Sequence, residues 1–273
     1  ICSIGIAFAF VGIILLSIGK GKMNSLFFVD LYRNAAALHP FWLELSFLFV
    51  LVGFGTKMGL APAHAWLVDA HSESPAGISA LLSGMLLNTA FLAILRVLKI
   101  LEIARLTAHA HLLLMVMGIL SVFVSTVFML KTKNYKRMLA YSSIENMGII
   151  CLGMGIGAGA VFASFLQMAA HSFVKASFFM TSGNIFKKYK TKEIDKVNGL
   201  LTRDSINGWL WIWCFIALVG FPPFPIFFSK LILVKEMFMR GNILLCVFML
   251  VLFIIILYAM GNAVLKMSFG KMK

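Results

Sequence analysis

Charged residues are scarce in this chain and make up 12% of its 273 residues, against 61% apolar ones. Soluble globular domains carry charge on about a quarter of their residues, so this composition excludes an ordinary water-soluble protein. Acidic side chains are the rarest, with 10 Asp and Glu against 24 Lys and Arg. The net charge of +14 suggests nucleic-acid binding. However, the basic residues lie in short segments between apolar runs, which argues against that partner.

Cysteines and catalytic motifs are also few. Four cysteines lie inside apolar runs without metal-binding spacing, so we predict that they only pack: Cys2, Cys151, Cys214 and Cys246. The sequence contains no phosphate-binding glycine loop, nucleophile elbow or zinc motif. We therefore predict no metal ion, no cofactor and no catalytic redox site within this chain.

Long apolar runs are what the sequence has in abundance. Each run of about twenty residues is long enough to cross a hydrocarbon core of roughly 30 Å, and continuous runs indicate helices. We predict an all-α, polytopic transmembrane bundle that forms a single domain over residues 1–273. About eight spans are expected, at 1–19, 41–68, 76–98, 109–130, 138–158, 160–186, 207–238 and 243–265.

Two of these spans are predicted to be broken helices. Span 41–68 contains several glycines followed by Pro62, and the long span 207–238 contains Pro222, Pro223 and Pro225. Proline removes a helical hydrogen bond and frees carbonyl groups one turn earlier, so each break can admit water. The chain opens on Ile1 inside a full-length span, without the basic start of a signal peptide. We therefore expect preceding spans in a longer protein.

The charges of the loops predict an orientation. Loops 20–40, 96–108, 159 and 239–242 carry 7 basic residues, and loops 69–75, 131–137, 187–206 and 266–273 carry 13. Cytoplasmic loops are enriched in Lys and Arg. We therefore expect the second set, including loops 131–137 and 187–206, to face the cytoplasm from a plasma membrane.

Four lysines fall inside the predicted spans: Lys57, Lys175, Lys230 and Lys235. Lys235 lies near a span end, from which its ammonium can reach the interface. An ionisable residue at mid-bilayer costs about 2.5–3.5 kcal/mol, and folding gives no reason to keep three of them. Desolvated lysine releases its proton, whereas arginine does not. The three deeper lysines are therefore candidate proton stations.

Position strengthens each of these candidates. Lys57 and Lys230 lie close to the two predicted helix breaks, a pairing typical of ion paths in transporters. His171 and Lys175 are four residues apart and share one helical face, which Gln167 and Ser164 extend. Histidine titrates nearest neutral pH and can relay protons in either direction.

Other polar residues are candidates for the lining of a path. Glu145 opens a span and either tunes a neighbouring lysine or lies among the headgroups; both interpretations stay open. A further group, consisting of His64, Asp69, His71 and Glu73, is expected at the mouth of a path or in a loop.

Several stretches resemble a known superfamily: GTKMGLAPAHAWLVDAHSESPAGISALL (55–82), NYKRMLAYSSIENMGIICLGMG (134–155), QMAAHSFVKASFFMTSGNI (167–185) and GFPPFPIFFSK (220–230). They are similar to antiporter-like membrane subunits of respiratory complex I, group 4 membrane-bound [NiFe] hydrogenases and multisubunit Na+/H+ antiporters. DAHSESPAGISALLSGMLLN and YSSIENMG look most like the hydrogenase-4 component F type.

The resemblance implies about fourteen helices in two inverted five-helix repeats, of which this chain is the C-terminal portion. It implies a proton path through Lys57, His171, Lys175 and Lys230. Two features depart from the pattern. Ser83 stands near the place of a family histidine, where it can hold a water but cannot store a proton. The glutamate that pairs with the first lysine belongs to a helix preceding Ile1.

We therefore predict a subunit that translocates protons, or Na+, across the membrane, driven by a redox reaction in partner subunits of a hydrogenase- or complex I-like assembly. Two alternatives stay open: a subunit of a cation/proton antiporter without redox chemistry, and an inactive structural subunit.

Overall fold

A computed structural model describes residues 1–19 and 26–270, and this part of the chain is helical without a β-strand. The α-helices are α1 (Cys2–Gly19), α2 (Phe28–Arg33), α3 (Pro40–Met58), α4 (Ala65–Glu73), α5 (Ala76–Leu81), α6 (Leu87–Ile103), α7 (Ala108–Lys131), α8 (Tyr135–Ile156), α9 (Gly159–Tyr189), α10 (Leu200–Arg203), α11 (Ser205–Val219), α12 (Pro225–Met239) and α13 (Ile243–Phe269). A π-helical turn, Leu82–Leu86, joins α5 to α6.

The lengths of these helices match a membrane protein. Six helical segments are long and apolar enough to cross a bilayer: α1, α3, the run Ala76–Ile103, α7, α8 and α13. Helix α9 is longer still, with 31 residues. With α9 and the pair α11 and α12, the six segments correspond to the eight runs seen in the sequence. The number of membrane crossings itself stays a prediction.

Both predicted helix breaks are present. Gly59 caps the C-terminus of α3 with a φ of 82°, and Gly220 caps that of α11 with a φ of 91°. A positive φ is sterically costly for residues with a Cβ, so glycine suits both ends. After each end the chain passes through a proline-containing turn, and α12 begins at Pro225 because proline tolerates the first helical position.

Helix α8 forms the centre of the bundle. Every residue of α8 except Arg137 is buried, whereas α1 and α13 expose many large apolar side chains to the surroundings. This arrangement follows from the sequence, because α8 carries Ser142, Ser143, Glu145 and Asn146. In a bilayer such side chains are favourable only in the protein interior.

The basic loops lie together at one end of the bundle. Residues 133–135 and 192–194 exchange backbone hydrogen bonds, so loops 131–137 and 187–206 share one face. The Arg137 guanidinium contacts the Asp69 carboxylate at 2.6 Å, and the Lys266 ammonium contacts the Asp195 carboxylate at 2.6 Å. Segments 69–75, 131–137, 187–206 and the described part of 266–273 therefore contact one another at one end of the bundle. The side of the membrane that they face stays a prediction. Lys20, Lys22, Lys271 and Lys273, which entered the charge count, lie outside the described residues.

Candidate functional site

A buried ion pair joins α8 to the second broken helix. The Lys230 ammonium lies 3.0 Å from Glu145 Oε1, with the two side chains 9% and 1% exposed. Lys230 also donates a hydrogen bond to the carbonyl oxygen of Val219, at the end of α11, and lies over the ring of Phe253. The break in the helix thus supplies a carbonyl for the lysine that follows it, as its position predicts. Glu145 is thus buried in contact with a neighbouring lysine rather than lying at the surface, and its role in tuning that lysine stays a prediction.

Amide and hydroxyl groups extend this pair into the bundle. Asn146 Nδ2 donates hydrogen bonds to Glu145 Oε2 at 3.3 Å and to the Ser142 carbonyl oxygen at 2.7 Å. Gln167, from α9, donates to Asn146 Oδ1 and accepts a hydrogen bond from the Ser229 hydroxyl of α12. All of these side chains are buried. Three helices therefore contribute to one polar network.

Lys175, from α9, contacts α8 one helical turn before Glu145. Its ammonium donates to the carbonyl oxygen of Leu139 and to the Ser142 hydroxyl, and the side chain is fully buried. Ser142 is also the residue whose carbonyl accepts from Asn146. Ser142 thus contacts both sides of the network: its hydroxyl accepts from Lys175, and its backbone carbonyl accepts from Asn146, which also bonds the Glu145 carboxylate that pairs with Lys230. Buried polar groups of Ser142, Asn146 and Glu145 therefore lie between the two lysines.

Two histidines complete the interior. His171 is fully buried one turn before Lys175, and neither of its ring nitrogens has a hydrogen-bond partner within the described residues. A buried polar group left unpaired costs free energy, so such a ring normally meets water or a mobile partner.

His71 was expected in a loop or at a mouth, and for this residue the prediction was wrong. Its ring is fully buried and stacks on Phe179 at 4.6 Å between centroids, while the Lys175 ammonium lies 5.5 Å from the same ring. The short helix α4 turns His71 inward because Asp69 and Glu73, two residues to either side, face outward. Of the three remaining members of the predicted group, Asp69 and Glu73 are exposed and His64 is half-buried.

Lys57 occupies a different environment from the other lysines. It was expected to be buried, but its side chain is partly exposed and lies 5.8 Å from the centre of the Trp66 ring. No carboxylate of the described residues pairs with it. The Thr56 carbonyl beside the break accepts from Trp66 Nε1 at 2.6 Å, so an indole takes a place predicted for water.

The other two candidates for the lining differ in their distance from the lysines. Ser83 is buried in the π-helical turn and hydrogen-bonds to the hydroxyl of Ser143 at 2.9 Å. His64 is half-buried, and its Nδ1 lies 3.2 Å from the Pro62 carbonyl oxygen. Ser83 therefore reaches α8, the helix of the network, and His64 does not.

Sequence reasoning missed one buried cation. Lys136 was assigned to a loop, yet it is 3% exposed, donates to the Ser74 carbonyl oxygen at 3.0 Å and lies over the Phe186 ring. The Asn134 side chain caps α8 directly before it, which places Lys136 in the first helical turn. The cap was readable from the sequence, but the ring that covers the lysine was not.

Outside the spans, hydrogen bonds stabilise the charged forms of acidic residues at the basic face. A hydrogen bond from Lys192 lowers the pKa of the exposed Glu73 carboxyl, and one from Lys266 lowers the pKa of Asp195. Because these pairs are exposed to solvent, they contribute little to stability. Their effect is to hold the loops of this face together.

Comparison with known proteins gives a family for this architecture. A model described as NADH:quinone oxidoreductase/Mrp antiporter, transmembrane, matches residues 1–256. The hydrogenase-4 component F homolog of Methylacidiphilum infernorum is 37% identical over 278 residues, which cover 98% of this chain and 57% of that protein. NAD(P)H-quinone oxidoreductase chain 4 of Prochlorococcus marinus subsp. pastoris is 33% identical over 189 residues, 68% of this chain and 34% of the relative. The chain thus spans about half the length of the first of these relatives.

Solved structures share the fold. A chain of an archaeal membrane-bound sulfane sulfur reductase superposes with a TM-score of 0.91 at 26% identity, over 100% of this chain and 55% of that one. A chain of the Mrp complex from Dietzia superposes with a TM-score of 0.89 at 20% identity, over 100% of this chain and 50% of that one. A chain of respiratory complex I from Thermus thermophilus superposes with a TM-score of 0.87 at 22% identity, over 99% of this chain and 57% of that one. The predicted all-α polytopic fold is therefore confirmed, and the chain belongs to the NADH:quinone oxidoreductase/Mrp antiporter transmembrane family.

Proposed function

We propose that this chain translocates protons across a membrane through His171, Lys175 and Lys230, as part of a hydrogenase- or complex I-like assembly. The observation that carries the proposal is the row of buried polar groups, Ser142, Asn146 and Glu145, whose hydrogen bonds reach Lys175 at one end and Lys230 at the other. Burying ionisable groups in a membrane costs several kcal/mol and does not help the protein to fold. A row of such groups is typical of proton relays.

The chemistry of the path favours protons over Na+. Sodium, like other hard cations, is bound by oxygen ligands, whereas Lys175, Lys230 and His171 offer ammonium groups and ring nitrogens. The oxygen-rich place beside Glu145 and Gln167 is adjacent to the Lys230 ammonium, whose positive charge repels a second cation.

Proton movement follows from the partners of each group. The Ser142 hydroxyl contacts the Lys175 ammonium and can take up one proton as it gives up another, in the manner of a water molecule. The Asn146 amide does not titrate, so passage from Ser142 to Lys230 requires water beside it. His171, one helical turn before Lys175, supplies the other end of the relay; its two ring nitrogens have no hydrogen-bond partner in the described part of the chain.

The names of the relatives support a redox-driven assembly. They are a hydrogenase-4 component homolog and a quinone oxidoreductase chain, so we propose that electron transfer in partner subunits supplies the energy. Membership of an assembly without redox chemistry is the alternative, and Na+-dependent flux without electron transfer would indicate it. We further propose a plasma membrane location with loops 131–137 and 187–206 in the cytoplasm, supported by the charge of that face.

The test is proton transport by the assembled complex in liposomes. Lys175→Ala should abolish acidification of the lumen during turnover while the complex still assembles. Lys235→Ala is the matched control, because Lys235 is an exposed lysine on α12 and should leave transport unchanged. Transport at the wild-type rate in Lys175→Ala would overturn the proposed path.

A further inference from the structure

One carboxylate serves two buried lysines in this protein. Among the ion pairs of the described residues, only Glu145–Lys230 has both side chains buried. Lys175, also buried, has hydrogen bonds only to neutral oxygens, those of Leu139 and Ser142. The two ammonium groups are therefore unequal, although both lie in the same network.

Glu145 lies between these two lysines. Its Oε1 accepts from Lys230, and its Oε2 accepts from Asn146, whose amide also donates to the carbonyl of the serine that contacts Lys175. Lys175 is close enough to interact electrostatically with the Glu145 carboxylate as well. Rotation of one side chain would move the negative charge from one lysine towards the other.

Among the described residues near the two lysines, Glu145 is the acidic side chain that contacts one of them. In the described part of the chain, the cations that interact with it are Lys230 from α12 and Lys175 from α9. His171 of α9 and His71 of α4 lie beyond Lys175, with which both interact. Helix α7, which packs along α8, buries no titratable side chain. Helices α11 and α13 contribute only a carbonyl oxygen and the Phe253 ring. Glu236, the other acidic residue of α12, lies against Gly159 at the far end of α9.

We propose that Glu145 is the shared counter-ion that decides which of the two lysines holds the proton, an inference that rests on the proposed function. The Lys175 ammonium loses a proton, the neutral Lys230 amine gains one, and Glu145 stays ionised, so the net charge of the three groups is conserved. With the carboxylate 3.0 Å from Lys230, the charged state is favoured there, and the proton moves from Lys175 towards Lys230. Movement of the carboxylate towards Asn146 reverses the preference and lets Lys230 release its proton.

The experiment compares Glu145→Gln and Glu145→Asp in the assembled complex in liposomes, measuring the rate of proton transport from pH 5.5 to 9. Without the carboxylate, the Lys230 ammonium loses the only carboxylate that pairs with it among the described residues, and burial then disfavours its charged form. Glu145→Gln should therefore lower transport about tenfold at neutral pH and shift the pH profile towards acid by about one unit. Glu145→Asp keeps the charge and should restore most of the profile. Glu44→Gln, at a half-buried carboxylate paired with the exposed His109 and distant from the network, is the control.

A role in packing alone predicts a different result. If Glu145 only held the helices together, Glu145→Gln would lower the rate equally at every pH, and that outcome would overturn the assignment. A wild-type rate and profile would overturn it as well. The proposed function is tested separately by Lys175→Ala and Lys230→Ala. If these two variants lose transport while Glu145→Gln behaves as wild type, only the role of Glu145 is wrong.

Discussion

Lys175 and Lys230, 55 positions apart in the sequence, bond to two residues of helix α8 that lie one turn apart, Ser142 and Glu145, and the Asn146 amide bonds to both of these residues. Neither lysine contacts the other directly. The connection depends on polar residues of a third helix, which is buried except at Arg137. Two cations from α9 and α12 are thus linked across the middle of the bundle.

This linkage predicts non-additive kinetics. If the two lysines act as one unit, either single substitution to alanine stops the relay, and the double variant Lys175→Ala/Lys230→Ala should transport protons little worse than either single variant. The measurement is the initial rate of lumen acidification per complex. Independent, multiplicative losses would instead indicate two separate paths.

Lys57 gives a second prediction, because it has no carboxylate partner in the described residues. As a proton station it must release its proton, which arginine cannot do. Lys57→Ala and Lys57→Arg should both lose redox-coupled transport and leave assembly intact. The number of protons moved per electron pair is the quantity to measure, with Lys99→Ala, at a lysine outside the breaks, as the control. Transport at wild-type stoichiometry in either variant would remove Lys57 from the path.

Gln167 should matter for stability as well as for transport. Gln167→Leu removes the donor to Asn146 Oδ1 and leaves a buried acceptor unpaired, which costs about 1–3 kcal/mol. We expect a lower unfolding temperature for the purified protein in detergent. Asn184→Leu removes an amide from an exposed pair with Asn207 and should change the unfolding temperature far less. Equal shifts for both variants would contradict a special role for the buried network.

The orientation can be tested by thiol labelling in intact cells. Cysteines introduced at Lys133 and Lys190, on the basic face, should resist a membrane-impermeant reagent if that face is cytoplasmic. A cysteine at Arg105, in a loop of the other set, should react. Both measurements require a background without the native cysteines. Labelling of the first two positions from outside would reverse the assigned direction of the path.

Much of the architecture could be predicted from the sequence because the bilayer imposes simple rules. Apolar runs of sufficient length must form helices, so the spans and the two breaks at glycine and proline were readable from composition. The cost of a buried charge pointed to Lys175 and Lys230 in the same way. For these features the free energy of transfer into the bilayer depends mainly on the residue type, so it can be estimated without knowledge of the neighbouring residues.

The partners of the buried polar side chains could be found only from the tertiary structure, because they depend on the distances between helices. Only packing could show that Glu145 meets Lys230, that the Phe179 ring covers His71, or that Lys136 is enclosed although it begins a helix next to a loop. Packing also decided that Lys57 stays partly exposed. The hydrophobic pattern therefore determined which segments enter the membrane. The contacts among α8, α9 and α12 decided which polar groups share a low-dielectric interior, where a single charge governs its neighbours.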